Sequence, residues 1–225
     1  MPGRSPMLEK KEYASERVEM IEKQLRRRGI RDPGVLAAMA AVPRHEFVAE
    51  ELRAHAYDDL PLPIGGGQTI SQPYIVAAMT AALHLQPTDR VLEIGAGCGY
   101  QAAVLARLAG EVFTIERRPE LASAASAKLA RLGYANAHVH CGDGTLGLPE
   151  LAPFDAILVA AAAPAVPKPL LAQLGDGGRL ILPVGEAEHQ ELQLIERHGD
   201  ALLTKRLEGC RFVPLVGYHG WQESS

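Results

Sequence analysis

The residues best placed to do chemistry lie in Arg90-Val-Leu-Glu-Ile-Gly-Ala-Gly-Cys-Gly-Tyr100, where an apolar run enters a turn of alternating glycines and continues into the helix-like Gln101-Ala-Ala-Val-Leu-Ala-Arg-Leu108. Strand, tight turn and helix form half of a nucleotide-binding βαβ unit. Gly95, Gly97 and Gly99 let a ligand approach the backbone, so Glu93, Gly95, Ala96 and Gly97 are the contacts expected from this turn. A dinucleotide site wants a small third residue where this chain has Tyr100, which argues for a nucleoside without a pyrophosphate and against nicotinamide chemistry. A second apolar run, Glu111-Val-Phe-Thr-Ile-Glu116, ends in a carboxylate about 20 residues further on, the separation at which an acid reaches ribose hydroxyls. A third, His138-Val-His-Cys-Gly-Asp-Gly144, puts Asp143 where it can accept from an adenine amino group and Gly144 where the ring needs space. Turn glycines alone are weak evidence, but turn, Glu116 and Asp143 in this order point to S-adenosylmethionine.

The segment from Tyr57 to Tyr74 is too rich in Pro and Gly for regular structure and leads into an apolar helix, Tyr74–Leu83. Its end, Gln68-Thr-Ile-Ser-Gln-Pro73, combines hydroxyls and amides with a helix start, and Pro73 suits a first turn that has no use for its N–H. Ser71 has two compatible readings. It caps the helix, a role worth about 1 kcal/mol, or it belongs to a helix end that holds a carboxylate. The glycines at 65–67 let this loop fold over a ligand at the carboxyl ends of the strands, where open α/β sheets bind.

These residues need a scaffold. The 225-residue chain, 47% hydrophobic and 22% charged, can bury one substantial core and reads as one domain. Its formal charge of −4 offers no broad basic surface for nucleic acid, and the run Arg26–Arg28 falls at the end of a helix, Ser15–Arg28, where cations complement the dipole. Three separated cysteines without a CxxC pair suit a reducing compartment. The eight histidines are scattered, and His138 and His140 lack further ligands at metal-binding spacing, so no metal is expected. Met1–Lys10 has no apolar leader and no stretch reaches the ~20 apolar residues of a membrane span, so a cytoplasmic, soluble protein is expected. Asp32 should cap a helix with Pro33 in its first turn, and these N-terminal helices should cover one edge of the sheet. From Glu111 strands and helices alternate: Glu111–Glu116, Pro119–Leu132, Ala137–Cys141, Phe154–Ala160, Val166–Leu174 and Arg179–Val184. That predicts an α/β fold with a doubly wound, mostly parallel sheet. Glu191–Arg197 and Ala201–Glu208 read as a C-terminal β-hairpin, with a further strand over Arg211–Leu215. The expected organisation is a flexible tail over 1–14 and one domain over 15–225, made of a helical cap and acceptor loop (15–75), a cofactor-binding core (76–190) and C-terminal strands (191–225).

Several stretches resemble one family, the protein-L-isoaspartate (D-aspartate) O-methyltransferases: Val42-Pro-Arg-His-Glu-Phe47, Leu62-Pro-Ile-Gly-Gly-Gly-Gln-Thr-Ile-Ser-Gln-Pro73, Val91 to Gln101, Gly142-Asp-Gly144, Ala152-Pro-Phe-Asp155, and Gly177-Gly-Arg179 with Pro183-Val-Gly185. The likeness runs from about Val18 to Leu215, and the Gly-Gln-Thr-Ile-Ser-Gln-Pro loop is its most specific part. It implies a Rossmann-like S-adenosylmethionine-dependent methyltransferase that methylates the α-carboxyl of L-isoaspartyl and D-aspartyl residues in damaged proteins and peptides, starting their repair. It also implies that Ser71 is the active-site residue. The chain departs from the family where Thr-Gly-Ser is replaced by Ala96-Gly97-Cys98 and where a threonine is replaced by Ala160.

On that resemblance Ser71 orients the carboxylate with support from Thr69, while Ile70, Gln72, Phe212, Val213 and Pro214 bind the substrate backbone. A carboxylate is already ionised at neutral pH, so the absence of a Ser–His–Asp set does not count against an enzyme. A nucleic-acid base methylase is disfavoured because Leu158-Val-Ala-Ala-Ala-Ala-Pro164 has nothing to bind an exocyclic amine. A non-catalytic S-adenosylmethionine sensor is disfavoured by the intact loop at Gln68–Pro73, and a monomer acting on unfolded or aged polypeptides is expected.

Overall fold

The computed structural model describes residues 13–186 and 188–222, so the tail expected over 1–14 lies almost wholly outside the described residues. Helical segments open the chain: α1 (Ala14–Glu19) runs into a π-helical stretch, Met20–Leu25, and a 3-10 turn, Arg26–Arg28. The helix expected over Ser15–Arg28 is therefore present as a backbone run, but its winding changes twice. Arg26 and Arg28 are ion-paired, with Glu22 at 3.0 Å and Asp59 at 2.7 Å. In α2 (Pro33–Ala41) the Asp32 carboxylate accepts from Val35 N–H at 2.9 Å and Pro33 takes the first turn, as the sequence required.

A two-stranded antiparallel hairpin follows, β1 (Leu62–Gly65) and β2 (Gln68–Ile70), and then α3 (Pro73–Ala82). This corrects the irregular loop expected here: the prolines sit at exposed hairpin positions, and the glycines between the strands make the turn. The central sheet has seven strands in the order β5-β4-β3-β6-β7-β8-β9. In chain order these are β3 (Arg90–Ile94), β4 (Glu111–Glu116), β5 (Ala137–Cys141), β6 (Phe154–Val159), β7 (Leu174–Gly185), β8 (Gln190–His198) and β9 (Ala201–Cys210). The first five are parallel to their neighbours, and β7-β8 and β8-β9 are antiparallel. Strand order reverses between β3 and β6, the switch point at which such sheets open a crevice.

Side chains alternate across the inner strands and both faces are buried. Val91, Ala156, Leu158 and Ile181 join one apolar cluster, whereas Leu92, Ile157, Val159, Leu180 and Leu182 join the other. The N-terminal helices belong to the first cluster through Met20, Leu25, Val35 and Met39, packing on α3 and on α4 (Tyr100–Leu105). They thus lie over a face of the sheet, not over an edge. The remaining helices are α5 (Pro119–Arg131), which buries Ala122, Ala125 and Leu129 along one stripe, and the short α6 (Lys168–Ala172). The strand expected over Arg211–Leu215 is extended but makes only a bridge, Pro214 to Ala162, because Phe212 N–H is taken by a side chain. Among the described residues no helix is long and apolar enough to cross a membrane. Nor could any group of three or more His, Cys, Asp or Glu among them hold a metal ion.

Asp32→Ala should cost about 1 kcal/mol, lowering Tm by about 2–4 °C for a domain of this size. Thermal unfolding followed by circular dichroism measures it, and an unchanged Tm would show that the Asp32–Val35 bond contributes nothing.

Candidate functional site

The turn between β3 and α4 is fastened to the neighbouring strand before any ligand is considered. Gly95 and Ala96 N–H both donate to Ile115 C=O, at 2.8 and 3.1 Å. Gly97 N–H donates to one Glu116 oxygen at 2.9 Å and Arg118 N–H to the other at 3.0 Å. An ionised carboxylate has about four acceptor directions, so Glu116 keeps two for outside donors. At Gly97 φ is +53° and an added Cβ would lie 3.0 Å from Ile64 Cδ1 in the hairpin, so glycine is required on both conformational and spatial grounds.

This turn opens onto a cavity of about 770 Å³ whose lining includes Gly95, Ala96, Gly97, Glu116 and Gly144 together with Thr69, Ile70, Ser71, Phe212, Val213 and Pro214. Cofactor and acceptor residues expected from sequence thus share one space. A second cavity of about 520 Å³ adjoins it, sharing Thr69, Ser71, Ala160, Arg211, Phe212 and Val213, and adding Gln72 with Tyr74, Arg28 and Glu208. The residues fit an adenosine-bearing methyl donor on two counts. Glu116 presents free acceptor capacity at the wall, and an added Cβ at Gly144 would collide with Ile94 Cγ2, so that wall is shaped to the backbone.

Two expected cofactor residues lie behind the lining. Asp143 accepts from Thr145 N–H (2.9 Å), Thr145 Oγ1 (2.7 Å) and Tyr218 N–H (2.8 Å). Burial alone would raise its pKa, but these bonds outweigh it and hold the carboxyl below its usual range. Two of these three bonds come from Thr145 and one ties the carboxylate to the C-terminal segment at Tyr218. Glu93 is fully buried with neither oxygen hydrogen-bonded, and burial together with the nearby Glu116 charge pushes its pKa up to about 8. Thr114, its register partner on β4, pulls the other way, but its hydroxyl makes no well-formed bond to it.

The acceptor loop resolves the two readings of Ser71. The residue preceding α3 is Gln72, with no side-chain capping bond, and the Ser71 hydroxyl makes no hydrogen bond among the described residues. Capping is not its role. At the helix end Pro73 has no N–H and Tyr74 N–H faces Asp59 Oδ1 at 3.4 Å. Ser71 C=O instead accepts from the Arg44 guanidinium at 2.7 Å. Across the cavity, Gln190 clamps Phe212 through both amide groups, at 2.7 and 3.2 Å, and Val213 C=O accepts from Ala162 N–H at 2.8 Å.

Sequence reasoning missed several lining residues. Arg117 and Arg118 directly follow Glu116, and that adjacency was available as a signal. Tyr100 was read as the bulky third position of the turn and Gln101 as the start of the helix, neither as a residue lining the cavity. Gln190 and Trp221 carried no local signal, because Trp221 reaches the site by a bond from its indole N–H to Ala162 C=O at 3.0 Å, 59 residues away. Among the described residues the ionisable groups on the larger cavity are Glu116, Arg117, Arg118, Arg211, Cys98 and Tyr100, a surplus of cations with no histidine or lysine. Burial pushes the Cys98 thiol up and Tyr100 to about 12, so neither is a base at neutral pH.

Comparison with known proteins agrees with this geometry. A family model described as protein-L-isoaspartate(D-aspartate) O-methyltransferase matches residues 15–220. A relative named protein-L-isoaspartate O-methyltransferase from Roseiflexus sp. (strain RS-1) is 59% identical over 210 residues, covering 93% of this chain and 96% of its own. Protein-L-isoaspartate O-methyltransferase 2 of Pelobacter propionicus is 58% identical over 222 residues, 98% of each chain. A solved protein-L-isoaspartate O-methyltransferase superposes with a TM-score of 0.82 at 31% identity, covering 91% of this chain and 67% of the other. A structure from Plasmodium falciparum, assigned to the same activity and in complex with S-adenosyl-L-homocysteine, gives 0.78 at 28% identity, covering 89% and 98%.

Because the Glu93 pKa is near 8, the unfolded chain ionises this group from pH about 4.5 while the folded chain keeps the proton. The folded state binds more protons in that window, so stability falls as pH rises through it and levels off above it. Glu93→Gln should remove that slope and gain on the order of a few kcal/mol over the parent between pH 5 and 8, read from urea unfolding at each pH. Identical pH profiles would contradict a protonated Glu93.

Proposed function

The chain belongs to the protein-L-isoaspartate(D-aspartate) O-methyltransferase family, and from that premise we propose how its residues divide the work. It transfers a methyl group from S-adenosylmethionine to the α-carboxyl of isoaspartyl and D-aspartyl residues in damaged proteins. When bound, S-adenosylmethionine supplies a methyl carbon on a cationic sulfur, which departs as a neutral thioether as a carboxylate oxygen takes the methyl. The substrate oxygen is already an anion, so the chain has no proton to remove, and a cavity wall without histidine or lysine among the described residues fits that chemistry.

Glu116 holds the ribose hydroxyls with its two unspent acceptor directions, and Gly95, Ala96, Gly97 and Gly144 provide the close backbone wall. Glu93 and Asp143 act one layer back, Asp143 by pinning the C-terminal segment. Ser71 donates its free hydroxyl to the substrate carboxylate, with Thr69 beside it and Arg117, Arg118 and Arg211 lending positive potential. Well-oriented reactants gain about 7–11 kcal/mol, against roughly 1.5–3 for one charge-assisted hydrogen bond. A neutral donor orients the anion without gripping it so strongly that attack slows. Ile70, Gln72, Phe212, Val213 and Pro214 line the path of the peptide backbone, and the second cavity takes the flanking residues. The methyl ester is a better leaving group than hydroxide, so the next backbone nitrogen closes a succinimide without further help and repair begins. We assign residues 15–225 to one domain divided as the sequence suggested, acting as a monomer in the cytoplasm on unfolded or aged polypeptides.

The observation that carries this reading is that Ser71, whose hydroxyl is unbonded among the described residues, lines both cavities. Ser71→Ala should lower kcat about tenfold to a hundredfold while S-adenosylmethionine binding stays within a few fold, measured by mass on paired peptides differing only in Asp versus isoAsp. Unchanged turnover removes Ser71 from the reaction, and equal labelling of the Asp peptide removes the specificity. Glu116→Ala should weaken donor binding about tenfold or more in calorimetry, and parental affinity would overturn the ribose assignment.

A further inference from the structure

Arg44, on the 3-10 turn Arg44–Phe47, is fully buried and has no part in the scheme above. Taking a guanidinium out of water costs several kcal/mol unless its N–H groups are matched, so its partners indicate its purpose. Nε donates to Ala56 C=O at 2.6 Å and Nη2 to Ser71 C=O at 2.7 Å, while Nη1 has no hydrogen-bond partner. The guanidinium carbon lies 4.8 Å from the centre of the Tyr100 ring, which faces the donor cavity at the start of α4. Burial lowers the Arg44 pKa, with Tyr100 and Cys98 acting the other way, and an arginine keeps its charge in proteins.

We propose that Arg44 is a positioning residue for methyl transfer: its planar fork ties the Ser71 carbonyl to Ala56 and braces both against Tyr100, fixing the backbone from which the Ser71 hydroxyl projects. The proposal rests on the reading of Ser71 given above. Geometry favours it over a purely structural role because Ile70 before it is paired with Leu62 and the Gln72 C=O after it accepts from Val76 N–H at 3.2 Å, whereas among the described residues the Ser71 hydroxyl is unbonded and its C=O is held by Arg44. A lysine at this position keeps the charge but presents a point donor in place of a rigid fork, so it cannot hold two carbonyls in the same plane.

The test is a double-mutant cycle on kcat at saturating donor and isoaspartyl peptide, using Arg44→Lys, Ser71→Ala and the pair. Misplacing a reacting group by about 1 Å can cost a hundredfold, so Arg44→Lys alone should lower kcat roughly tenfold or more. Calorimetric affinity for S-adenosylhomocysteine should stay within about threefold. Because Arg44 acts through Ser71, adding Arg44→Lys to Ser71→Ala should lower kcat no further, the coupling expected of residues in one network. Multiplying losses in the pair would overturn the proposal and leave Arg44 structural, as would parental kcat in Arg44→Lys. Parental kcat in Ser71→Ala fails the reading of Ser71 itself, which separates the two claims. If the lysine variant does not fold by circular dichroism, Arg44→Gln, which keeps an amide donor without a buried charge, takes its place. Failure of both to fold also overturns the proposal.

Discussion

The Glu116 carboxylate, held between Gly97 N–H at 2.9 Å and Arg118 N–H at 3.0 Å, joins the glycine turn of β3 to the end of β4 and so fixes one end of the site. Without this bridge two neighbouring strand ends would present separate loops to solvent. With it they form one wall, because the bonds from Gly95 and Ala96 to Ile115 close the remaining gap. The same carboxylate lines the cavity with acceptor directions that these two bonds leave unused.

At the other end the constraint is carried by buried polar groups that reach across the sequence. Arg44 holds the Ser71 C=O and Gln190 clamps Phe212, and Ser71 and Phe212 line the same two cavities. The chemistry asks for little more than this alignment. An ionised acceptor and an activated methyl need no proton transfer, and among the described residues the cavity wall carries arginines, hydroxyls and Glu116 but no histidine or lysine.

Much of this was legible in the sequence because it is local. The alternation of strands and helices from Glu111 to Val184 gave the parallel sheet, Ala137–Cys141 and Glu111–Glu116 fall where the apolar runs placed them, and Asp32 caps its helix. What was misread depends on distant partners. The hairpin Leu62–Ile70 looked irregular because its prolines and glycines outweigh its short strand pattern. Of the two readings of Ser71, capping fails because Gln72 is the residue that precedes α3, and the bond from Tyr218, 75 residues on, to Asp143 has no local signal. The extended segment at Arg211–Leu215 pairs only through Ala162, a contact no local pattern encodes.

The most direct test of the central claim is a crystal structure of the chain with S-adenosyl-L-homocysteine and an isoaspartyl peptide bound together. The account predicts ribose hydroxyls on Glu116, and the substrate carboxylate facing the sulfur with Ser71 Oγ about 2.6–3.2 Å from one of its oxygens. A carboxylate seated elsewhere, with Ser71 turned away from it or the ribose off Glu116, would contradict the account.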